Sequence, residues 1–199
     1  MPLSRALILF SILGALSIAP GCAAQQEATS LLGRPLERPA LDDETRATLE
    51  ANLAEAKRDY DADTTDEEAI IWYGRRLAYL SRYNDAVAIF TKGLEHHPDS
   101  AKLLRHRGHR YITLRKFDLA EADLARAAEL VKDRDDAIEP DGAPNAAGVP
   151  RSTLKTNIHY HLGLAHYLQG DFSDAAVSFA RCANLSTNDD MLVAALNWW

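Results

Sequence analysis

The chain has 199 residues, a formal net charge of −7 and 47% hydrophobic residues, which is enough for a continuous core and unlike a disordered composition. Its acidic balance argues against a general nucleic-acid binder, which needs a basic excess to meet phosphates. Only two cysteines occur, Cys22 and Cys182, so no disulfide framework can hold the fold and helix packing must do so.

In chain order, the first element is an export signal. Arg5 gives a short positive region, and Ala6 to Ala19 is an apolar run with the length of a signal-peptide core, too short for a comfortable bilayer span. Pro20-Gly21-Cys22 follows. A small residue directly before a cysteine here resembles the bacterial lipobox, although Ala19 and Pro20 depart from its preferred residues. That resemblance implies a signal peptide over 1–22, acylation of Cys22, and a lipid-anchored protein of the cell envelope. The alternative is ordinary cleavage after Ala24, giving a secreted or periplasmic chain. Residues 23–40 carry Pro35 and Pro39 with no periodicity and read as a flexible tether. Residues 42–60 form an amphipathic helix with Leu49, Leu53, Ala56 and Tyr60 on one face. Thr65 and Glu68 have the spacing of a capping box for the next helix.

An internal repeat follows. Gly74 and Gly108 lie 34 residues apart, as do Leu77 and Tyr111, Tyr83 and Phe117, Ala86 and Ala120, and Phe90 and Leu124. A third copy shifts the landmarks of the second by 55, to Gly163, Phe172, Ala175 and Phe179. Each unit reads as an antiparallel pair of helices, A and B. A glycine inside helix A costs about 1 kcal/mol against alanine, so a close approach of helix B is expected in return. A 34-residue period with these residues resembles the tetratricopeptide repeat (TPR) family. The resemblance implies an all-α, right-handed superhelical stack: a domain over 41–199 with repeats at 67–100, 101–134 and 156–189. Lys132 stands where a terminal proline is expected, so the second helix B should run on toward Asp136. The insertion at 137–151, with Pro140, Gly142, Pro144, Gly148 and Pro150, reads as an exposed loop. A terminal helix spans 190–199, capped by Asp189 and Asp190. Its closing Trp198-Trp199 either packs back onto the third repeat or meets a continuation of the chain.

The resemblance also implies function: one stripe of each helix A lines a concave groove for extended peptides. Carried over by position, that stripe is Ile71, Arg75 and Tyr79, then Arg105, His109 and Thr113, then Tyr160, Leu164 and Tyr167. It is basic at one end and aromatic at the other, which suits an acidic peptide with an apolar anchor. The competing explanation for the basic residues is internal pairing with the carboxylates between Asp59 and Glu68, or with Glu121 and Asp123. A carboxylate clamp found in some cytosolic members maps to Ile71, Arg75, His106, Asn157 and His161; no lysine is retained, which argues against chaperone-tail binding. The histidines show no metal-site spacing, and His159 and His166 fall on packing positions, so neither metal nor cofactor is expected. Cys182 reads as core, no catalytic pattern is present, and the expectation is a non-enzyme. Binding of a small anion through Arg75, Arg105 and His109, or a purely structural spacer role, are the alternatives.

Overall fold

A computed structural model describes residues 26–140 and 152–199. The expected leader, Cys22 and most of the 137–151 insertion lie outside these residues. Eight described helices follow one another: α1 (Asp43–Ala62), α2 (Glu67–Tyr79), α3 (Tyr83–His96), α4 (Ala101–Thr113), α5 (Phe117–Val131), α6 (Leu154–Gln169), α7 (Phe172–Leu185) and α8 (Asp189–Leu196). The pairs α2/α3, α4/α5 and α6/α7 are the three repeats. Each helix packs on the next in the chain, and α2·α4 and α4·α6 meet along one side, so the A helices form a row. No helix among the described residues is long and apolar enough to cross a membrane.

The recurring glycines explain how each hairpin closes. A Cβ on Gly74 would stand 2.3 Å from Cε1 of Phe90, and one on Gly163 would stand 2.7 Å from Cε1 of Phe179. On Gly108 it would meet Leu124 Cγ at 2.8 Å and the Ala120 carbonyl at 3.3 Å. Phe90, Leu124 and Phe179 are all fully buried, as are the matching small residues Ala86, Ala120 and Ala175. Helix B thus drives a large side chain into the space that the glycine vacates. Phe90, Ile70, Leu77 and Leu103 build one end of the core, and Leu124, Ile112, Leu162 and Ala165 continue it. Cys182 is completely buried, with burial pushing its thiol up to about 11, so it packs as an apolar residue.

The turns between A and B helices share a backbone feature. Ser81, Arg115 and Gly170 occupy equivalent positions and have φ of 57°, 64° and 91°. Only the third repeat uses glycine for this left-handed residue, although any side chain there costs about 1–2 kcal/mol.

Four local expectations are corrected. The cap of α2 is Asp66, whose side chain accepts from the Ala69 N–H at 2.7 Å; Thr65 is instead engaged by Asp63. The cap of α8 is Asn188 rather than the following aspartates. Helix α5 stops at Val131, because the chain turns there to bring Ile138 into an antiparallel bridge with Thr153. Lastly, where the sequence reads a free tether, strands β1 (Gln26–Thr29) and β2 (Pro35–Glu37) form an antiparallel hairpin. Its Glu27 pairs with Arg38 at 2.5 Å and accepts the Asn84 backbone N–H at 3.1 Å. Helix α3 has no side-chain cap of its own, and Glu27 puts a carboxylate on its unsatisfied first turn.

Candidate functional site

The row of A helices places the predicted stripe along one side of the stack, with three departures. Ile71 is buried in the core, Leu164 packs partly against the Ile112–Leu162 cluster, and Thr113 turns its hydroxyl to the His109 carbonyl. The remaining residues form two ends.

At the basic end, Arg75, Arg105 and Arg110 gather from α2 and α4. Arg75 donates to the Pro140 carbonyl at 2.8 Å and lies 4.3 Å over the Trp72 ring. Arg105 pairs with Glu139 at 2.9 Å, with only 12% of either side chain exposed. The amide of Asn157 also donates to that carboxylate. Arg110 lies over the Tyr83 ring, and no carboxylate pairs with it among the described residues. Burial and the neighbouring arginines lower its pKa to about 10, which still leaves it charged at neutral pH. A cavity of about 90 Å³ opens between Arg75, Tyr79, Phe90, His106, His109 and Arg110.

Histidines form the floor. His109 and His161 lie 4.0 Å apart between ring centroids, and His161 meets the Asn157 carbonyl through Nδ1 at 2.7 Å. Burial first, then the surrounding cations, push His106 and His109 well below the usual histidine range and His161 to about 3. His109 is therefore a neutral group packed against the tilted His161 ring at pH 7 and supplies no positive charge. Although His106 Nε2 lies 3.9 Å from Glu139, the same burial keeps it neutral and the contact is not a charge pair.

The aromatic end is built by Tyr160, Tyr167, Phe172 and Phe179, and Trp198 sits among them. Its indole stacks on Phe179 at 6.3 Å, meets Tyr167 edge-on at 5.2 Å, and donates to the Tyr160 hydroxyl at 3.2 Å. Of the two closing tryptophans, Trp198 packs back onto the third repeat and Trp199 stays exposed.

Much of the basic excess is paired internally. Arg107 grips Asp123 through two bonds of 2.7 and 2.8 Å, and Lys102 pairs with Glu68 from the preceding repeat. Both partners fall within the carboxylate groups that the sequence offers. Glu139 does not, because it belongs to the insertion, whose proline and glycine content hides its place beside Arg105.

A separate trio escaped sequence reasoning. Glu121, His166 and Asp171 bring possible ligand atoms within 4.8 Å of one another, and the buried His166 Nδ1 has no hydrogen-bond partner. Their spacing along the chain carries no motif, since three different structural elements supply them.

No protein-family model and no curated protein matches the chain. Solved structures do resemble it. One is a thermophilic TPR protein in Thermus thermophilus, at 16% identity over 77% of this chain and 74% of that one, with a TM-score of 0.59. MamA is similar at 15% identity over 80% and 91% of the two chains, with a TM-score of 0.54. The first TPR of Spaghetti (RPAP3), solved with the HSP90 peptide SRMEEVD, is similar at 20% identity over 64% and 85%, with a TM-score of 0.50. At these identities the likeness speaks for the fold alone. The chain is an all-α solenoid of tetratricopeptide-type helical hairpins.

Proposed function

We propose that this chain is a non-catalytic interaction scaffold that binds an extended acidic protein segment along its A-helix groove. The observation that carries the reading is the gathering of Arg75, Arg105 and Arg110 on one face of an acidic chain, with Glu139 the one carboxylate among them in the described residues. Such a face attracts an acidic partner and fixes its register through bidentate-capable guanidinium groups. The aromatic end adds an anchor for an apolar side chain. Export with acylation of Cys22 is part of the proposal and rests on the leader sequence. The complex of the RPAP3 repeat with an acidic peptide is in keeping with this use of the fold.

A second reading, the binding of a small anion, is favoured by the cavity of about 90 Å³ beside Arg75 and Arg110. Anisotropy titrations with a labelled array of acidic peptides separate the two. Peptide binding should weaken at least about 10-fold on either Arg75→Ala with Arg105→Ala or Tyr160→Ala, because the segment spans both ends. Anion binding should depend on the arginines alone. Binding indifferent to the arginine pair refutes both. The mass of the mature N-terminus tests acylation.

A further inference from the structure

The basic end of the groove already holds a carboxylate, and the same chain supplies it. Glu139, from the insertion between the second and third repeats, sits on Arg105 and Asn157, while the next carbonyl, that of Pro140, takes Arg75. An acid and an adjacent backbone carbonyl, presented in an extended stretch, are the features that an incoming peptide would offer.

What holds this stretch is also what a competitor could reproduce. Ile138 is 65% exposed, so apolar burial does not anchor it. Its backbone is pinned at its base by Glu139 N–H to the Ser152 carbonyl at 3.0 Å and Leu154 N–H to the Ala137 carbonyl at 2.9 Å. Asp136 also accepts the Lys155 N–H at 3.0 Å at that base, and among the described residues the seat of Glu139 and Pro140 consists of the contacts to Arg75, Arg105 and Asn157. The occupancy is moreover incomplete. Among the described residues no carboxylate pairs with Arg110, Glu139 does not line the neighbouring cavity, and the buried Nε of Arg105 has no hydrogen-bond partner. A longer acidic segment can make the same contacts and add Arg110.

We propose that Glu139-Pro140 is an internal competitor that occupies the ligand's place, and that the ligand is an extended segment carrying a carboxylate for Arg105 and Asn157 and a second acid for Arg110. This rests on the peptide-groove reading above. A tethered group acts at an effective concentration in the millimolar range, so it sets a threshold that weak acidic segments fail to cross. Affinity for any partner is reduced by the fraction of molecules in which the groove is vacant.

The test uses a labelled peptide of sequence DDAIEP, matching residues 135–140, against the purified chain. Glu139→Gln removes the internal charge and should bind the peptide at least about 10-fold more tightly than the parent. Arg105→Gln in the Glu139→Gln background should abolish the gain, and the peptide DDAIQP should not show it. Circular dichroism checks that the variants fold; should Glu139→Gln fail, Glu139→Asp withdraws the carboxylate by one methylene and should give a gain in the same direction. Equal affinity for parent and variant, lost on Arg105→Gln, overturns the competitor and leaves the groove reading standing. Binding that ignores Arg105 in every background, or no binding to the variant at millimolar peptide, overturns both.

Discussion

Gly74→Ala should destabilise the first repeat even though alanine is the better helix former. In a helix interior the exchange is worth about 1 kcal/mol in favour of alanine. Against that stand the distances from the new methyl: 2.3, 2.5 and 2.9 Å to three carbon atoms of the Phe90 ring. Favourable carbon–carbon contact lies near 3.5–4.0 Å, so α2 and α3 must part by roughly 1 Å or the ring must turn. Phe90 is 1% exposed and packs among Ile70, Leu77 and Leu103, so turning the ring toward the cavity beside His106 would give up those contacts. Overpacking costs about 1–3 kcal/mol, and an overlap beyond about 1 Å takes the upper end, so after the gain of about 1 kcal/mol in helix propensity a net loss of about 2 kcal/mol is expected. In urea, with a slope of about 1–3 kcal/mol/M, the midpoint should fall by about 1 M. Phe90→Leu removes the ring, and Gly74→Ala should then cost at least about 1 kcal/mol less, a coupling read from the double-mutant cycle. A higher midpoint for Gly74→Ala, or the same loss in both backgrounds, would show that the glycine is not there to admit the ring.

Two further outcomes follow from the backbone and from the buried histidines. Ser81→Gly relieves a left-handed non-glycine residue and should stabilise the chain by about 0.5–1 kcal/mol in the same urea assay. Arg115→Gly should gain less, since the Arg115 guanidinium also donates to the carbonyls of Ile112 and Thr113. Acid should weaken the fold: with His161, beside His109, lowered from 6.5 to about 3 and His159, between α5 and α7, lowered to about 4, their contribution is complete above pH 6.5. Between the two limits the unfolded chain takes up protons that the folded chain refuses, so stability falls as pH drops. For His161 alone the loss by pH 5 is on the order of 2 kcal/mol. Urea midpoints at pH 7.5 and 5 measure it, His161→Gln should flatten the slope, and a midpoint unchanged between these pH values refutes the assignment.

The hairpins were legible because they obey a spacing that packing enforces. A glycine on α2, α4 or α6 and a bulky residue 16 positions later must be inherited together, or the helices cannot approach. The row of A helices was legible for the same reason, since each hairpin packs on the next in the same way. What escaped was set by contacts distant along the chain. Glu139 sits among turn-forming residues, and only the bridge from Ile138 to Thr153 reveals that it faces Arg105. The β1–β2 hairpin has short, mixed-polarity strands with no run of β-branched residues, and the bond from Asn84 to Glu27 spans 57 positions. Charge at the groove floor was overestimated because a sequence shows histidines but not their burial.

Because the main contacts of the stack join consecutive hairpins, its two ends can be rewritten separately. Substitutions around Arg75 and Arg110 and others around Tyr167 and Trp198 share few neighbours, so their energetic effects should add. An engineer could exchange the cationic hairpin for one of another chemistry while retaining the ring-lined one. The molecule is in this respect two adjoining surfaces on a common spine.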